Sequence, residues 1–267
     1  MSNKQVARPI DRLKYALSVD SVQEQFRNAL KDNAGPFIAS IIDLYSSDTY
    51  LQECDPNQVI MECLKAATLK LPINKQLGFG YIVPYKVKGK ATPQFQIGYK
   101  GYIQLAMRTG QYKFLNAGIV EEGVKVNRDR LTGAITFEGE PTSDKPQGYF
   151  AYMELLNGFS KTIYMSREEV IAHAKRYSKS FSSDSSAWKS NFDEMAIKTV
   201  LRLLLSKFGI LSTDMISAFT SDTEPDIEEE IAQEANGEVI DVEFRAADDP
   251  EVPAEEEQQK AAAGPGF

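Results

Sequence analysis

The sequence contains a single histidine and two cysteines among its 267 residues. A histidine-based catalytic triad is therefore restricted to His173, and the histidine and cysteines lack the spacing of a zinc site. We interpret His173 as a partly exposed helix residue, and Cys54 and Cys63 as reduced thiols rather than a disulfide. The sequence thus predicts no metal, no cofactor and no hydrolytic active site, and hence a protein that is not an enzyme.

Two other features that would assign a function are missing. No run of about 18 apolar residues is present, and the N-terminus lacks an apolar segment with a small-residue cleavage site, so we expect no membrane span and a cytoplasmic location. The nearest match to a phosphate-binding loop, Pro84 to Ala91, has Pro in place of the first Gly and Ala in place of the metal-binding hydroxyl. This mismatch argues against ATP hydrolysis.

Acidic residues are absent from one long stretch of the chain. Between Cys63 and Val120, 58 residues, the sequence has no Asp or Glu. It has nine basic residues there: Lys65, Lys70, Lys75, Lys86, Lys88, Lys90, Lys100, Arg108 and Lys113. Because soluble proteins usually intersperse the two signs of charge, a stretch of one sign this long predicts an anion-binding surface.

The net charge of −8 conceals a division of the chain into two parts. Residues 1–221 carry 28 bases and 22 acids, whereas residues 222–267 carry 2 bases and 16 acids. We predict a folded core over 1–221 and a disordered acidic tail over 222–267, since the tail has too little apolar surface to fold. Within the tail, residues 239–244 alternate apolar and acidic side chains, which fits either a linker or a short docking segment.

Capping and turn signals predict helices first, then hairpins, then helices again. Residues 1–75 are predicted to be mainly helical, 76–165 β-rich and 166–210 helical. Asp55-Pro56 and the capping box Ser166–Glu169 each predict a helix start. The predicted hairpins turn at Lys88–Lys90, at Leu131–Gly133 and, as a two-residue type I′ turn, at Asn157-Gly158. The last predicted element is a long helix over about 187–208, ended by Gly209.

Two helices carry basic residues at helical spacing. In a helix over 99–109, Lys100, Gln104 and Arg108 share one face, and each step of four residues rises about 6 Å, close to the spacing of phosphates on an extended strand. This face is predicted to follow a phosphate backbone without reading bases. On the long helix, Lys198 and Arg202 lie one turn apart, and Lys189 joins them only through a kink or from a neighbouring subunit.

Further DNA-binding candidates surround these helices. Lys86, Lys88 and Lys90 lie on a hairpin that reaches either DNA or a neighbouring subunit. Aromatic side chains interleave with the basic ones. These rings either stack on DNA bases or pack within the sheet. The remaining candidates are Lys175, Arg176, Tyr99, Tyr112 and Lys113.

Two blocks of this sequence resemble a known family. PQFQIGYKGYIQLAMRTGQYK, residues 93–113, resembles the signature region of the phage RecT family of recombinases, and WKSNFDEMAIKTVLRLLLSKFG, residues 188–209, resembles the family's second block. The blocks stand in the same order as in the family, about 75 residues apart, within a resemblance that covers about 16–221. The match is therefore more specific than a lone motif.

The resemblance implies an α+β fold in which an antiparallel β-sheet with β-hairpins packs on a long helix, with an N-terminal helical part. It also implies an ATP-independent protein that binds and anneals single-stranded DNA as an oligomeric ring or filament in homologous recombination. The implied partners are single-stranded DNA, annealed duplex, further copies of the chain, a phage exonuclease and the host single-strand binding protein. In one interpretation, the 222–267 tail binds the last two of these. The implied location is the cytoplasm of a bacterial host. The alternative is a passive single-stranded DNA coat protein without annealing activity.

Overall fold

The computed structural model describes residues 8–87, 89–178, 180–184 and 186–222. These ranges form an α+β fold, as predicted. Its helices are α1 Pro9–Ser18, α2 Asp20–Leu30, α3 Ala34–Ser47, α4 Pro56–Thr68, α5 Tyr99–Arg108, α6 Arg167–Tyr177, α7 Ala187–Ser190, α8 Phe192–Phe208 and α9 Thr213–Ser221. Its strands are β1 Gly80–Val87, β2 Lys90–Ile97, β3 Tyr112–Glu121, β4 Lys125–Arg128, β5 Ile135–Glu138, β6 Pro146–Leu155 and β7 Ser160–Ser166.

The N-terminal helices pack around α4. The carboxylate of Asp55 accepts hydrogen bonds from the N–H groups of Asn57 and Gln58, which confirms the predicted helix start. One side of α4 is buried against α1 and α2, because apolar residues recur along it at helical spacing. Cys54 and Cys63 are both buried and both free, as predicted.

The first hairpin, β1–β2, packs against α4 through one of its two faces. Its strands pair antiparallel from Gly80↔Ile97 to Val87↔Lys90, so the predicted hairpin is confirmed. Ile82 and Phe95 are paired and fully buried, and they belong to the inner face. Lys88 lies outside the described residues.

The central sheet has the strand order β3-β6-β7, and all of its pairs are antiparallel. Tyr149, Ala151 and Met153 alternate along β6 and are buried under α8, which crosses the sheet. A separate hairpin, β4–β5, turns where Leu131–Gly133 predicted it. The predicted antiparallel sheet on a long helix is therefore confirmed.

Two local predictions require correction. The connection between β6 and β7 is not a type I′ turn, which requires a positive φ at both central residues. Only Gly158 has a positive φ, 88°, and its N–H donates to the carbonyl of Leu155 while the N–H of Leu155 donates to the carbonyl of Phe159. This pattern is a turn followed by a glycine bulge, which needs three loop residues rather than two.

The predicted helix over 187–208 is broken near its start. Asn191 has φ −140° and ψ 55°, far from helical values, and it separates α7 from α8. The hydroxyl of Ser186 accepts from the N–H of Trp188 and caps α7 separately. Lys189 therefore lies on α7 and not on α8. The helix is interrupted between Lys189 and Lys198, as one of the two alternatives for Lys189 required.

Candidate nucleic-acid interface

Acids from outside the acid-free stretch fold back onto part of it. Lys65 pairs with Glu62 at 2.8 Å, Lys75 with Asp48 at 2.6 Å, and Lys113 with Glu154 at 2.7 Å. The last two partners are distant in the sequence, so periodicity alone does not reveal them. Lys113, predicted to bind DNA, is thus partly compensated by an acid on the neighbouring strand β6.

Helix α5 forms as predicted, but its polar face is divided between solvent and protein. Lys100 is exposed and Gln104 is half-buried. The guanidinium of Arg108 donates to the carbonyl of Leu69 at 2.6 Å and to that of Lys70 at 2.9 Å. These carbonyls lie at the C-terminal end of α4, where backbone acceptors have no helical partner. Arg108 is exposed but its guanidinium caps α4, whereas Lys100 is exposed near the start of α5.

The outer face of the β1–β2 hairpin is a surface without acidic residues. We define the hairpin face as the side chains that alternate with the buried ones on the two strands: Tyr81, Val83, Tyr85, Val87, Lys90, Thr92, Gln94 and Gln96. The amide nitrogen of Gln96 donates to the hydroxyl of Tyr85 at 2.6 Å. Amide, hydroxyl and ammonium groups on this face are all groups that bind phosphate and sugar oxygens.

Lys100 lies at the base of the hairpin face. A Cβ added to Gly78 would lie 3.3 Å from the Tyr81 hydroxyl oxygen and 3.4 Å from Cδ of Lys100, so both side chains approach the same glycine. This approach depends on two more glycines. A Cβ on Gly98 or Gly101 would lie 2.1 or 2.2 Å from the carbonyl oxygens of residues 78 and 79, respectively. The glycines of the GYKG motif therefore place Lys100 beside the hairpin.

The charge of Glu194, an acid on α8, acts on the Tyr81 hydroxyl at the base of this face. Burial raises the pKa of the Tyr81 hydroxyl above its usual value, and the charge of Glu194 on α8 adds to the increase. The hydroxyl therefore keeps its proton at neutral pH and can donate a hydrogen bond. Lys90 and Lys100 make no ion pair among the described residues.

Lys198 and Arg202, which were predicted to contact the DNA backbone, are buried in the protein. They are 7% and 5% exposed, and their charges face the carboxylate of Asp222, at 3.2 Å from Lys198 and 3.6 Å from Arg202. The same carboxylate accepts from the Tyr102 hydroxyl at 2.6 Å and from the Ile97 N–H at 3.1 Å. These five residues, which we call the Asp222 cluster, join β2, α5 and α8 to the end of α9.

The Asp222 cluster also corrects the boundary between core and tail. Asp222 was assigned to the tail, but it is 1% exposed and belongs to the core. Burial by itself raises its pKa, but the two cations and the hydrogen bonds outweigh burial, so the pKa of Asp222 lies below its usual value. The rest of the predicted tail, residues 223–267, lies outside the described residues.

The other candidates have varied positions. The Tyr112 oxygen accepts from the N–H of Ile210 at 2.8 Å, which gives this residue a structural contact, and Tyr99 is half-buried against the core. Arg176 lies over the ring of Tyr177, with 5.1 Å between the guanidinium carbon and the ring centroid. Lys86, Lys175 and Lys189 are exposed. The structure therefore leaves Lys90 and Lys100 exposed at opposite ends of the hairpin, with Tyr99 beside Lys100, whereas Lys198 and Arg202 are buried.

Two kinds of feature are absent from the described ranges. No group of three or more His, Cys, Asp or Glu side chains in these ranges is arranged to hold a metal ion. None of the helices in the described ranges combines the length and the apolar character that crossing a membrane requires.

Comparisons with known proteins agree with the two sequence blocks. The model of the RecT family matches residues 35–235. The chain is 46% identical to the uncharacterized protein YqaK of Bacillus subtilis (strain 168) over 247 residues, which are 92% of this chain and 84% of YqaK. It is 29% identical to Protein RecT of Escherichia coli (strain K12) over 178 residues, 64% of this chain and 65% of that protein. RecT family membership supports single-stranded DNA binding and a role in single-strand annealing recombination. Since the family model covers most of its length, this chain belongs to the RecT family.

Proposed function

We propose that this chain anneals complementary DNA strands without a nucleotide cofactor, and that it holds the first strand by its phosphates along the hairpin face. The observation that carries the proposal is the acid-free hairpin face, with Lys90 at one end and Lys100 at the other. Both lysines are exposed, and neither makes an ion pair among the described residues. A phosphate backbone would supply the negative charges that pair with these two lysines.

Phosphate contacts explain how a protein promotes pairing without reading sequence. Cations on the hairpin face neutralise part of the backbone charge of the first strand and release its counterions. The base edges then stay accessible to a second strand, and each stacked step of new duplex contributes about 1.4 kcal/mol. Because pairing itself supplies the free energy, no ATP hydrolysis is required. The protein lowers the repulsion between two strands of like charge.

Assembly into a ring or filament is part of the proposal. The tip of the hairpin is exposed: Lys86 and Lys90 extend into solvent, and Val87 is 46% exposed although it is apolar. An exposed apolar residue between lysines suits contact with a neighbouring copy as well as with DNA. A row of copies would keep the strand extended, which makes its bases available for pairing.

We propose that the partners and the location implied by the family hold for this chain. A phage exonuclease would generate the single strand, and the host single-strand binding protein would be displaced from it. The acidic segment 223–267 would dock on these proteins or compete with DNA for the hairpin face. The setting is the cytoplasm of a bacterial host.

The proposal is tested by removing the two lysine charges. Replacing both Lys90 and Lys100 by Gln should lower the salt dependence of oligo(dT) binding, reducing the slope of log K against log salt by about 1.4, since a single strand contributes about 0.7 per contact. The matched control replaces Lys14 and Lys125, which are exposed and are not part of the hairpin face as defined. Equal slopes for the two double variants would refute the assignment.

A passive coat protein is the alternative function, and an annealing assay separates the two. Complementary oligonucleotides, one with a fluorophore and one with a quencher, are mixed with the full chain in the absence of nucleotide. Fluorescence should fall faster than with DNA alone, and the Lys90/Lys100 double variant should lose much of this acceleration. A protein that binds oligo(dT) but leaves the annealing rate unchanged would be a coat protein.

A further inference from the structure

A cleft separate from the hairpin face lies where α7 meets α8. Its lining residues come from four parts of the chain: the β3–β4 connection, the start of β6, the start of α6, and the α7–α8 junction. They are Glu122, Lys145, Pro146, Arg167, Lys189, Ser190, Phe192 and Asp193. The break at Asn191 directs α7 away from the axis of α8 and thereby forms one wall of this cleft.

Internal contacts already engage one of the three cations in the cleft. The guanidinium of Arg167 lies over the ring of Phe192, with 4.4 Å from its carbon to the ring centroid, and donates to the Tyr149 hydroxyl at 3.1 Å. Arg167 also lies 3.8 Å from the carboxylate of Asp193, to which the Tyr149 hydroxyl donates. This network fixes Arg167 and directs the charge of Asp193 toward it.

The other two cations have no acid partner among the residues that the structure describes. Lys145 and Lys189 are exposed and make no ion pair within the described part of the chain. The remaining acid of the cleft, Glu122, accepts a hydrogen bond from the Ser143 hydroxyl at 2.8 Å and pairs with neither lysine there. The cleft therefore presents two uncompensated ammonium groups, the Ser190 hydroxyl and the edge of a fixed guanidinium. An ammonium pair beside a hydroxyl and a guanidinium matches an anion with several oxygens.

We propose that this cleft binds a phosphate of the DNA backbone, as a second contact apart from the hairpin face. Lys145 and Lys189 contact the phosphate, and Arg167 is the positioning residue that keeps Asp193 from competing with it. The inference rests on the proposed DNA-binding function, and it names a different set of side chains. A strand held at two separate places on one protomer is kept from folding on itself, which favours pairing with a second strand.

The test removes the two uncompensated charges. The Lys145→Gln, Lys189→Gln variant of the full chain should show a salt slope for oligo(dT) binding lower by about 1.4 than that of the wild type. The Lys14→Gln, Lys125→Gln variant changes the net charge equally outside the cleft and should keep the wild-type slope. Glu122→Gln, which removes an acid from the cleft, should tighten binding. The inference is overturned if the cleft variant and the control variant have the same slope.

Two comparisons identify what a failure would mean. If the Lys90/Lys100 variant loses slope and the cleft variant does not, the cleft inference fails while the proposed function stands. Titration with dTMP distinguishes a DNA strand from a free nucleotide: we expect no binding at concentrations where oligo(dT) saturates the protein. Binding of dTMP as tight as that of oligo(dT), lost in the cleft variant, would overturn the assignment to a strand.

Discussion

Replacing Asp222 by Ala should destabilise the folded chain strongly. The substitution leaves Lys198 and Arg202 buried without their shared carboxylate, and it removes the acceptor for the Tyr102 hydroxyl and the Ile97 N–H. Removing one partner of a buried ion pair typically costs about 3–5 kcal/mol. The hydroxyl and N–H groups that lose this acceptor belong to the same cluster, so their cost is not added separately. We expect a loss of about 4 kcal/mol in the free energy of unfolding.

The assay is thermal and urea unfolding followed by circular dichroism. For a chain of this size, 4 kcal/mol corresponds to a fall in Tm of about 8–16 °C. The control is Asp226→Ala in the full chain, which removes an acid four positions further along and should leave Tm unchanged. Replacing all three charged residues by apolar ones, Lys198→Met and Arg202→Met with Asp222→Ala, should recover part of the loss, because no buried charge then remains. An Asp222→Ala variant within 1 kcal/mol of the wild type would refute the reasoning.

Three further results are expected. Because the pKa of Asp222 is lowered in the folded state, its contribution to the free energy of unfolding is complete above the unfolded pKa of about 3.9 and is lost as pH falls through the folded pKa. The stability difference between wild type and Asp222→Asn, measured by urea unfolding, should therefore shrink below about pH 4. Arg108→Ala should lower the free energy of unfolding by about 2 kcal/mol, since charged hydrogen bonds to the end of α4 are lost, whereas Lys100→Ala should change the salt slope and leave urea unfolding unaltered. Tyr112→Phe should cost about 1–3 kcal/mol in urea unfolding, because it leaves the N–H of Ile210 without its acceptor; a cost near zero would show that water replaces the hydroxyl.

The sequence predicts best those features that depend on neighbouring residues. The Asp55 cap and the Ser166–Glu169 capping box both have the predicted hydrogen bonds, since each involves residues within one helical turn. The hairpins are also where the turn residues place them. The predicted type of the β6–β7 turn is wrong. One bulged residue decides the turn type, and composition does not reveal that residue.

Long-range contacts explain why the candidate site was only partly predicted. Lys198 and Arg202 have the same spacing as an exposed basic pair, and the residue that buries them, Asp222, follows 20 residues after Arg202. One local signal was available: Met215, Ala218 and Phe219 have helical spacing, and the first two are buried. A helix over this segment would have carried Asp222 into the core. The hairpin face, in contrast, follows directly from strand alternation once the register is known.

The phosphate-only contact is tested most directly by chemical probing of a bound oligonucleotide. Oligo(dT) carrying randomly ethylated phosphates is bound to the full chain, and thymine reactivity toward permanganate is measured in the same complex. The account predicts that ethylation interferes with binding while the thymines stay reactive, because the protein holds the backbone and leaves the bases accessible. Protected thymines together with tolerance of ethylated phosphates would contradict it.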